Sequence, residues 1–475
     1  MTKNRQKPIL EVKIDEMSYP NKSIAYLDEG KKVEFKGGIL GQTCRVKITR
    51  NRSTNKKAKY LELIKNSSIE NNKDYCPNAN ICGGCAYQKT AYETELLLKI
   101  NMIKNLLKEN NIEIGNISIT PSPKIKAYRN KMEYTFGDQE KGGPLYLGLH
   151  RKAKFYEIID TKNCNIVDKD FEIIRQDIQN YFREKNASFY HKMTHKGLLR
   201  NLIVRKAHRT GQIMVILVTT SDESFDNIRK KLFVHKLLSS ETQGKIVSIH
   251  HVINDSLADA VIVEKIELLF GKEYIEEEMS GLTFKISPFS FFQPNVFCAE
   301  KIYQKAIEFA QISKKDNVLD LYSGTGTISQ LMAIKSNKAM GIEIVDEAVK
   351  MAKENALLNE IYNVDFIAGD VLEEIDKIKN TYNIITIDPP REGIHPKAIN
   401  KIISFKPEKF IYISCNPKSQ VRDLKIFLEN GYKIKNYQIF DQFPRARHVE
   451  AIALLSKLNT EHHLDIEIGE NKFRN

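Results

Sequence analysis

The chain has 475 residues, 41% of them hydrophobic, so it can bury the cores of roughly two or three domains and is not expected to be disordered. Its formal net charge of +13 favours a polyanionic partner, because lysine and arginine release counterions from phosphates, although a lysine-rich proteome would give the same charge. No apolar run of about eighteen residues marks a membrane span, and residues 1–7 lack the apolar core of a signal peptide. We therefore expect a cytoplasmic protein in which the seven cysteines are reduced, catalytic or metal-bound rather than paired.

Short segments of alternating polarity open the chain. Val33–Lys36 and Cys44–Ile48 alternate with period two. A lysine-rich turn is expected from Arg50 to Lys59, before another short strand at Tyr60–Leu63. Several short strands within residues 8–65 predict a small β-barrel, a fold that often binds nucleic acid, and a basic hairpin without a partner is the simpler alternative.

Three cysteines then lie within ten residues, Cys76, Cys82 and Cys85, and Cys164 is the obvious fourth. Four thiolates suit either a tetrahedral zinc ion or a four-iron cluster. Zinc sites usually pair two short Cys-x2-Cys knuckles, so the grouping of three plus one favours iron and sulfur. The five-residue gap after Cys76 and the presence of a fourth cysteine differ from the usual radical-enzyme pattern. They favour a structural or RNA-positioning cluster.

The middle of the chain is less regular than its C-terminal part. A helix is expected from Thr90 to Asn110, where apolar residues recur at helical spacing. Lys131–Phe136 and Leu202–Arg205 alternate like strands, but residues 120–285 show no clear order of elements. From 286 to 457 strands and helices alternate regularly, which predicts a doubly wound parallel sheet.

A strand, a glycine turn and the start of a helix follow one another at residues 317–329. Gly324 and Gly326 let the backbone approach a ligand at the helix N-terminus, although the third glycine of a dinucleotide site is missing. Glu343 suits ribose hydroxyls, and Asp370 suits an adenine amine. Carboxylates end four successive strands of this region: Asp320, Glu343, Asp370 and Asp388. Their order resembles class I S-adenosylmethionine-dependent methyltransferases, and an NAD site is the alternative.

Two further segments indicate the chemistry. Enzymes that methylate exocyclic amines often carry Asn/Asp-Pro-Pro followed by an aromatic residue. Here Asp388-Pro389-Pro390 is followed by Arg391, which favours a phosphate or base contact instead. Cys415 ends an apolar run, where a buried apolar thiol is the simpler alternative. A thiolate that adds to C6 of uracil makes C5 nucleophilic towards a methyl sulfonium, and a base must then remove the C5 proton. Lys418 and Arg422 are candidates for lowering the pKa of this thiol.

Six motifs occur in one order along nearly the whole chain. They are Cys76 to Cys85, Phe292-Gln293-Pro294-Asn295, Asp320 to Gly326, Asp388 to Arg391, Ser414 to Pro417 and His448-Val449-Glu450. Together they resemble the RNA (uracil-5-)-methyltransferase family, and the N-terminal barrel resembles the TRAM domain of its ribosomal-RNA members. The resemblance implies that Cys415 is the nucleophile and that Glu450 is the base that removes the C5 proton.

The same resemblance implies the ligands of two cofactors. The residues that match positions around S-adenosylmethionine and the uracil are Gln293, Tyr322, Thr327, Glu343, Asp370 and Asp388. Those that match the ligands of a four-iron, four-sulfur cluster are Cys76, Cys82, Cys85 and Cys164. The chain departs from the family pattern at Tyr322-Ser323, where Phe-Cys is common, and at Thr327, where Asn is common.

A uridine inside folded RNA must be extruded before a thiol can reach C6. Phe291 and Phe292 are interpreted as stacking partners of such a base or as core residues. Arg445, Arg447 and His448 are interpreted as phosphate contacts or as a solvated charged loop.

We therefore expect an α/β enzyme in three parts. These are a TRAM-like β-barrel at 1–66, an α+β middle domain with the iron–sulfur cluster at 67–285, and a Rossmann-like class I methyltransferase domain at 286–457. The helix at 90–110 is a candidate to pack on the catalytic domain, and a polar tail occupies 458–475.

The expected reaction transfers a methyl group from S-adenosylmethionine to C5 of a specific uridine in 23S rRNA through a covalent cysteine–C6 adduct. No membrane and no obligate protein partner are expected. The same reaction on a tRNA uridine is one alternative. A radical methylthiotransferase with a TRAM domain and a non-catalytic iron–sulfur RNA-binding protein are alternatives of another class.

Overall fold

The structure is a computed structural model, and it describes residues 7–28, 30–51, 55–154, 156–221 and 225–457. The expected polar tail at 458–475 lies outside the described residues. Within the described part of the chain, no helix is both long and apolar enough to cross a membrane.

The N-terminal residues form one six-stranded sheet. Its strands are β1 Ile9–Lys13, β2 Glu16–Ser18, β3 Lys22–Tyr26, β4 Lys32–Lys36, β5 Thr43–Asn51 and β6 Asn55–Lys65. They pair in the order β1-β5-β6-β4-β3-β2, and among the described residues the two end strands do not pair with each other, so the sheet is barrel-like only in part. The lysine-rich turn expected at 50–59 is wrong. Antiparallel pairing of Arg50 with Lys57 extends β5 and β6 through most of it.

The middle of the chain consists of a helix and a short strand, followed by a seven-stranded sheet with two helices. The first two elements are α1 Tyr92–Glu109 and β7 Ser118–Thr120. The seven strands of the middle sheet are β8 Lys131–Gly137, β9 Tyr146–His150, β10 Ile158–Ile159, β11 Leu199–Lys206, β12 Gln212–Thr219, β13 Lys245–Ile253 and β14 Lys265–Gly271. Two helices accompany them, α2 Lys169–Glu184 and α3 Asn227–Leu238. The helix expected at 90–110 and the strands expected within β8 and β11 are confirmed.

A hairpin, β15 Ile275–Met279 and β16 Leu282–Ile286, leads to the third sheet. The strands of this sheet alternate with helices along the chain: α4 Val296–Ala310, β17 Asn317–Leu321, α5 Thr327–Ala333, β18 Lys338–Glu343, α6 Asp346–Leu358, β19 Val364–Ala368, α7 Val371–Glu374, β20 Ile384–Ile387, α8 Pro396–Ser404, β21 Lys409–Ser414, α9 Pro417–Glu429, β22 Lys433–Phe440 and β23 Glu450–Ser456. The strand order is β19-β18-β17-β20-β21-β23-β22-β7. We call this the catalytic sheet.

The catalytic sheet is Rossmann-like but not wholly parallel. Its first five strands are parallel, as the alternation of elements predicts. β23 is antiparallel to both of its neighbours, β21 and β22, and β7 adds a parallel strand beside β22. The chain turns back at residues 441–449, so β23 begins at the edge where the parallel strands end. Ligands of open α/β sheets bind at that edge.

Buried charges hold α1 against this turn. Lys99 Nζ lies 2.7 Å from Glu95 Oε1 and 2.6 Å from Asp441 Oδ1, and all three side chains are fully buried. Removing one member of such a group leaves an uncompensated charge, so the group permits few other arrangements of helix and turn. α1 also shares an apolar core with β20, β21 and α9. The division of the chain into domains stays a prediction.

Candidate active site

Cys415 and Glu450 are neighbours at the carboxyl edge of the catalytic sheet. β21 ends at Ser414, which pairs with Ala451 of β23. In an antiparallel pair the next residues along, Cys415 and Glu450, face each other across the two strands. Glu450 is 4% exposed, and Cys415 is half-buried. The strand register thus brings together the two residues expected to act as nucleophile and base.

Further carboxylates surround this pair. Burial raises the pKa of Asp388, which follows β20, to about 7. Burial, followed by repulsion from Asp388 and Glu343, raises the pKa of Asp320 to about 8. Burial and Asp388 also raise the pKa of Glu450 well above its usual range, whereas Arg391 lowers it. Acids that repel one another in a buried site favour a cationic ligand, because its charge stabilises their ionised forms.

The surroundings of Cys415 favour the protonated form of its thiol. Burial, followed by Glu450 and Asp388, raises its pKa to about 12, and a hydrogen bond and positive charge from Arg391 oppose that rise. The carbonyl of Arg391 accepts a hydrogen bond from Asn416 Nδ2 at 2.8 Å, which holds this residue beside the end of β21. Arg391 is therefore the cation that favours the thiolate.

The prediction that Lys418 or Arg422 lowers the pKa of this thiol is wrong, because Arg391 has this position. Lys418 is exposed at the start of α9. Arg422 Nε donates to Asp423 Oδ1 at 2.8 Å, and another nitrogen of the same guanidinium donates to the carbonyl of Glu392 at 2.9 Å. Sequence proximity to Cys415 does not place either cation at the thiol.

The turn between β17 and α5 is shaped for close approach by a ligand. Gly326 has φ +75°, and a Cβ there would lie 2.6 Å from the Phe366 ring, so only glycine fits. Gly324 has φ +54°, and no atom lies within 4 Å of the place a Cβ would take. The turn is packed on one side and open on the other.

Polar atoms at this turn fit a bound cofactor. Glu343, at the end of β18, accepts hydrogen bonds from the backbone N–H groups of Gly324 and Val345, each at 3.0 Å. The Ser329 hydroxyl donates to one oxygen of Asp320. The other oxygen of Asp320, Oδ1, is buried without a hydrogen-bond partner in the described part of the chain. A buried polar atom of this kind normally has a partner, and a ligand can supply it.

Three more residues that are predicted to contact the cofactor lie around the same turn. Tyr322 adopts φ +66°, and burial followed by the nearby charge of Asp370 raises its pKa to about 12. Thr327 begins α5 and is 8% exposed. Asp370 is exposed and caps α7, because its Oδ1 accepts a hydrogen bond from the N–H of Leu372 at 2.8 Å.

Gln293 reaches the same region from the segment before α4. It is 8% exposed, and its Oε1 accepts a hydrogen bond from Gln442 Nε2 at 3.0 Å. Tyr303 of α4 lies nearby, and burial, followed by the charges of Asp388 and Glu450, raises the pKa of that tyrosine. Sequence analysis missed Tyr303, because its only signal is an apolar position in a helix.

The two neighbouring phenylalanines have different environments. Phe292 is 8% exposed and packs on Phe284 with ring centroids 6.1 Å apart, so it is a core residue. Phe291 is 63% exposed. Only Phe291 remains available to stack on an extruded base.

Arg445 belongs to the core, so its interpretations as a phosphate contact or as part of a solvated loop are both wrong. Its guanidinium donates to the carbonyl of Thr90 at 2.8 Å and lies 3.3 Å from Glu95 Oε2. Its own carbonyl accepts hydrogen bonds from the N–H groups of Ala86 and Tyr87 at 2.7 and 3.0 Å. Arg445 thus ties the cysteine-rich loop to the turn before β23.

Arg447 and His448 are half-buried on the same turn. Burial lowers the pKa of both, and the nearby Arg391 further lowers that of His448. His448 is therefore neutral at pH 7. A phosphate contact by either residue stays a prediction.

The four cysteines of the predicted cluster lie near one another. A hydrogen bond between Cys164 and Cys76 lowers the pKa of Cys76 to about 6 and raises that of Cys164 well above its usual value. Burial raises the pKa of Cys82, and it raises that of Cys85 to about 11. Across the described ranges, no group of three or more His, Cys, Asp or Glu side chains is arranged to hold a metal ion. The cluster therefore stays a prediction.

N–H groups nevertheless point at three of these sulfurs. The N–H of Gly84 donates to Cys82 Sγ at 3.3 Å, and Gln88 Nε2 donates to Cys85 Sγ at 3.4 Å. Asn78 Nδ2 lies 3.8 Å from the sulfur of Cys76. Hydrogen bonds to sulfur are among the features by which proteins tune iron–sulfur clusters, so these N–H groups agree with the predicted cluster although the described thiols are not arranged around a metal ion.

The fold and the acids at the strand ends define a class I S-adenosylmethionine-dependent methyltransferase. A family model described as tRNA (uracil-5-)-methyltransferase matches residues 92–458, and the chain belongs to this family. It is an S-adenosylmethionine-dependent RNA (uracil-5-)-methyltransferase. This membership excludes the two alternative functions of another class, a methylthiotransferase and a non-catalytic RNA-binding protein.

Relatives and a solved structure extend over nearly the whole chain. An uncharacterized RNA methyltransferase of Caldanaerobacter subterraneus subsp. tengcongensis is 44% identical over 452 residues, which cover 94% of this chain and 99% of that protein. One from Clostridium tetani is 44% identical over 451 residues, which cover 95% and 98%. The crystal structure of the Pyrococcus abyssi tRNA (uracil-54, C5)-methyltransferase in complex with S-adenosyl-L-homocysteine has a TM-score of 0.72 and 24% identity, and the match covers 94% of this chain and 99% of that one. It shows that the two chains share a fold.

Arg391→Gln tests the assignment of the cation beside the nucleophile. Loss of the positive charge raises the thiol pKa, so the rates of iodoacetamide alkylation at Cys415 and of RNA methylation should each fall on the order of 10- to 100-fold. Mass spectrometry of the Cys415 peptide measures the first rate, and incorporation of a labelled methyl group measures the second. Lys418→Gln is the control and should keep both rates. Wild-type alkylation in Arg391→Gln, or a loss confined to Lys418→Gln, contradicts the assignment.

Proposed function

We propose that this enzyme methylates C5 of a uridine in 23S rRNA through a covalent bond between Cys415 and C6 of the uracil. The observation that carries the covalent mechanism is the register of β21 and β23, which puts a thiol and a buried carboxylate side by side. Arg391 beside the thiol adds the means to ionise it.

In the first step the thiolate of Cys415 attacks C6 of the uracil. The new S–C6 bond takes the sulfur electron pair, and the electrons of the C5=C6 double bond move to form an enolate. Arg391 supports the thiolate before attack. Glu450 lies across from Cys415, so it would face the same base.

S-adenosylmethionine would supply the methyl group as an electrophilic sulfonium: C5 would bond to the methyl carbon, and the electron pair of the broken S–CH3 bond would leave on the sulfur of S-adenosylhomocysteine. The residues of this chain that would hold it are those around the β17–α5 turn, with Glu343 and Asp370 towards the nucleoside and Asp320 supplying an unpartnered oxygen. Its positive charge suits the repelling carboxylates at this edge of the sheet.

In the last step Glu450 takes the C5 proton. The electrons of the C5–H bond restore the C5=C6 double bond, the S–C6 bond breaks, and Cys415 leaves as a thiolate. Burial raises the pKa of Glu450, which makes it a stronger base once ionised, and Arg391 favours the ionised form.

RNA binding is assigned to two surfaces. The exposed Phe291 is placed to stack on the extruded uracil. The N-terminal sheet would contact phosphates, because β5 and β6 carry exposed basic residues that are neighbours across the two strands: Lys47, Arg50, Lys57 and Lys59.

A tRNA uridine is the second candidate substrate. The Pyrococcus abyssi enzyme, whose name states a tRNA substrate, matches 94% of this chain, so the N-terminal sheet alone does not separate the two RNAs. The predicted cluster favours 23S rRNA, since the resemblance that implies it is to the ribosomal-RNA members of the family.

Mapping 5-methyluridine in separated 23S rRNA and tRNA decides between the substrates. Cells that lack the gene should lose the modification at one or more 23S rRNA positions. A wild-type copy should restore it, and a Cys415→Ala copy, which has no nucleophile, should not. Loss confined to tRNA establishes the second candidate. Unchanged 5-methyluridine in both RNAs contradicts the proposed function.

We also propose that Cys76, Cys82, Cys85 and Cys164 bind a four-iron, four-sulfur cluster. Burial makes uncompensated thiolates at Cys82 and Cys85 unfavourable, and a positively charged iron core would stabilise them. The N–H groups directed at the sulfurs support the same assignment.

Iron and sulfide analysis of anaerobically purified protein tests the cluster. The wild-type chain should contain about four iron and four sulfide ions, because each site of this type holds one cubane. Cys82→Ser should lose most of the iron, whereas Cys298→Ser, a buried thiol of α4, should retain it. Zinc in place of iron, or full iron content in Cys82→Ser, contradicts the proposal.

A further inference from the structure

The turn between β22 and β23 is held by hydrogen bonds to much earlier parts of the chain. Lys99 Nζ donates to the carbonyl of Phe443 at 3.2 Å, and the hydroxyl of Tyr128 donates to the carbonyl of Pro444 at 2.9 Å. The next carbonyl, that of Arg445, is held in the same way. Arg445 is the last of these three residues before the turn runs into β23.

The backbone of Arg445 is strained at this point. Its φ is +69°, in the left-handed region that residues other than glycine seldom adopt. Its N–H donates to Glu95 Oε1 at 2.7 Å, and its carbonyl accepts from the N–H groups of Ala86 and Tyr87 at 2.7 and 3.0 Å. A strained conformation persists only where its surroundings determine it, and such residues are concentrated at functional sites.

The side chain of Arg445 is fastened as well as its backbone. It is 5% exposed, and its guanidinium donates to the carbonyl of Thr90 at 2.8 Å and lies 3.3 Å from Glu95 Oε2. Two cations, Arg445 and Lys99, thus balance two carboxylates, Glu95 and Asp441, in one buried group. Removing one member alone would leave an uncompensated buried charge.

The fastened residue lies shortly before the proposed base. Residues 446–449 lead from Arg445 to Glu450, which begins β23 and pairs with Phe440. Cys415 has a separate support, because it follows β21, which also pairs with β20. A shift of Arg445 would therefore displace Glu450 more than Cys415.

We propose that Arg445 is a positioning residue for Glu450, through the bonds that fix the turn before β23. The inference rests on the proposed function. In the step concerned, Glu450 takes the C5 proton, the C5–H electrons form the C5=C6 double bond, and the S–C6 bond breaks to release the Cys415 thiolate. A base misplaced by about 1 Å slows such a step on the order of 100-fold, while the attack of sulfur is spared. The methylated adduct should then accumulate.

A role of Arg445 in folding alone makes a different prediction. Loss of its buried bonds would then lower the temperature of unfolding and the fraction of folded enzyme. The enzyme that remained folded would pass through the steps of the reaction at their usual relative rates, so no intermediate would accumulate. Accumulation of the methylated adduct therefore separates positioning from stability.

The test combines Arg445→Met with Glu95→Gln and compares the double variant with wild-type enzyme on unmodified RNA and S-adenosylmethionine. The two changes remove one cation and one anion, so the buried group stays neutral and Lys99 keeps Asp441. We expect kcat to fall at least about tenfold and KM for RNA to stay within about twofold, since the affected step follows binding. An enzyme–RNA complex that survives denaturing electrophoresis should accumulate.

The matched control combines Arg209→Met with Glu300→Gln. These residues also form an arginine–glutamate ion pair, at 2.6 Å, but the pair is partly exposed and lies outside the turn. The control should keep the wild-type kcat and KM and should trap no complex.

Each other outcome overturns the inference. A folded double variant with wild-type kcat, with a change in KM alone, or with lower kcat and no trapped complex shows that Arg445 does not position the base. Thermal unfolding checks that the double variant is folded. If it is not, Arg445→Lys, which keeps the charge but not the guanidinium, decides by the same readouts. If the wild-type enzyme itself methylates no RNA, the proposed function fails first and the inference falls with it.

Discussion

The antiparallel pairing of β23 with β21 is the constraint on which the active site depends. Because Ser414 pairs with Ala451, the residues that follow and precede them, Cys415 and Glu450, meet at one edge of the sheet. A one-residue slip would turn Glu450 to the other face, and a parallel β23 would place it at the opposite edge. The turn at 441–449 secures this register through the buried charges of Lys99 and Asp441.

The electrostatics of the site explain why the Cys415 thiol needs a nearby cation to ionise. Repelling carboxylates and burial keep Cys415 protonated, and Arg391 alone offsets only part of that effect. A cationic ligand at the β17–α5 turn would offset the charge of Asp388, one of the two carboxylates that raise the thiol pKa.

Features with a local sequence signature could be predicted, and features made by distant segments could not. The glycine turn at Gly324–Gly326 and the five parallel strands follow from residue spacing. The antiparallel β23 and the position of Tyr303 near Asp388 and Glu450 do not, because these partners lie far away in the chain. Arg391 stands in a recognisable motif, but only the fold shows that it lies against the thiol. At residues 50–59, pairing between β5 and β6 overrides a lysine-rich composition that is typical of turns.

The most direct test of the covalent mechanism uses RNA in which the target uridine carries fluorine at C5. Fluorine cannot be removed as a proton, so the adduct should persist after methyl transfer. Proteolysis and mass spectrometry should then find the modified nucleotide on the peptide that contains Cys415, in a complex that forms only with S-adenosylmethionine present. A covalent nucleotide on another residue, or no covalent complex from an enzyme that methylates ordinary RNA, contradicts the mechanism.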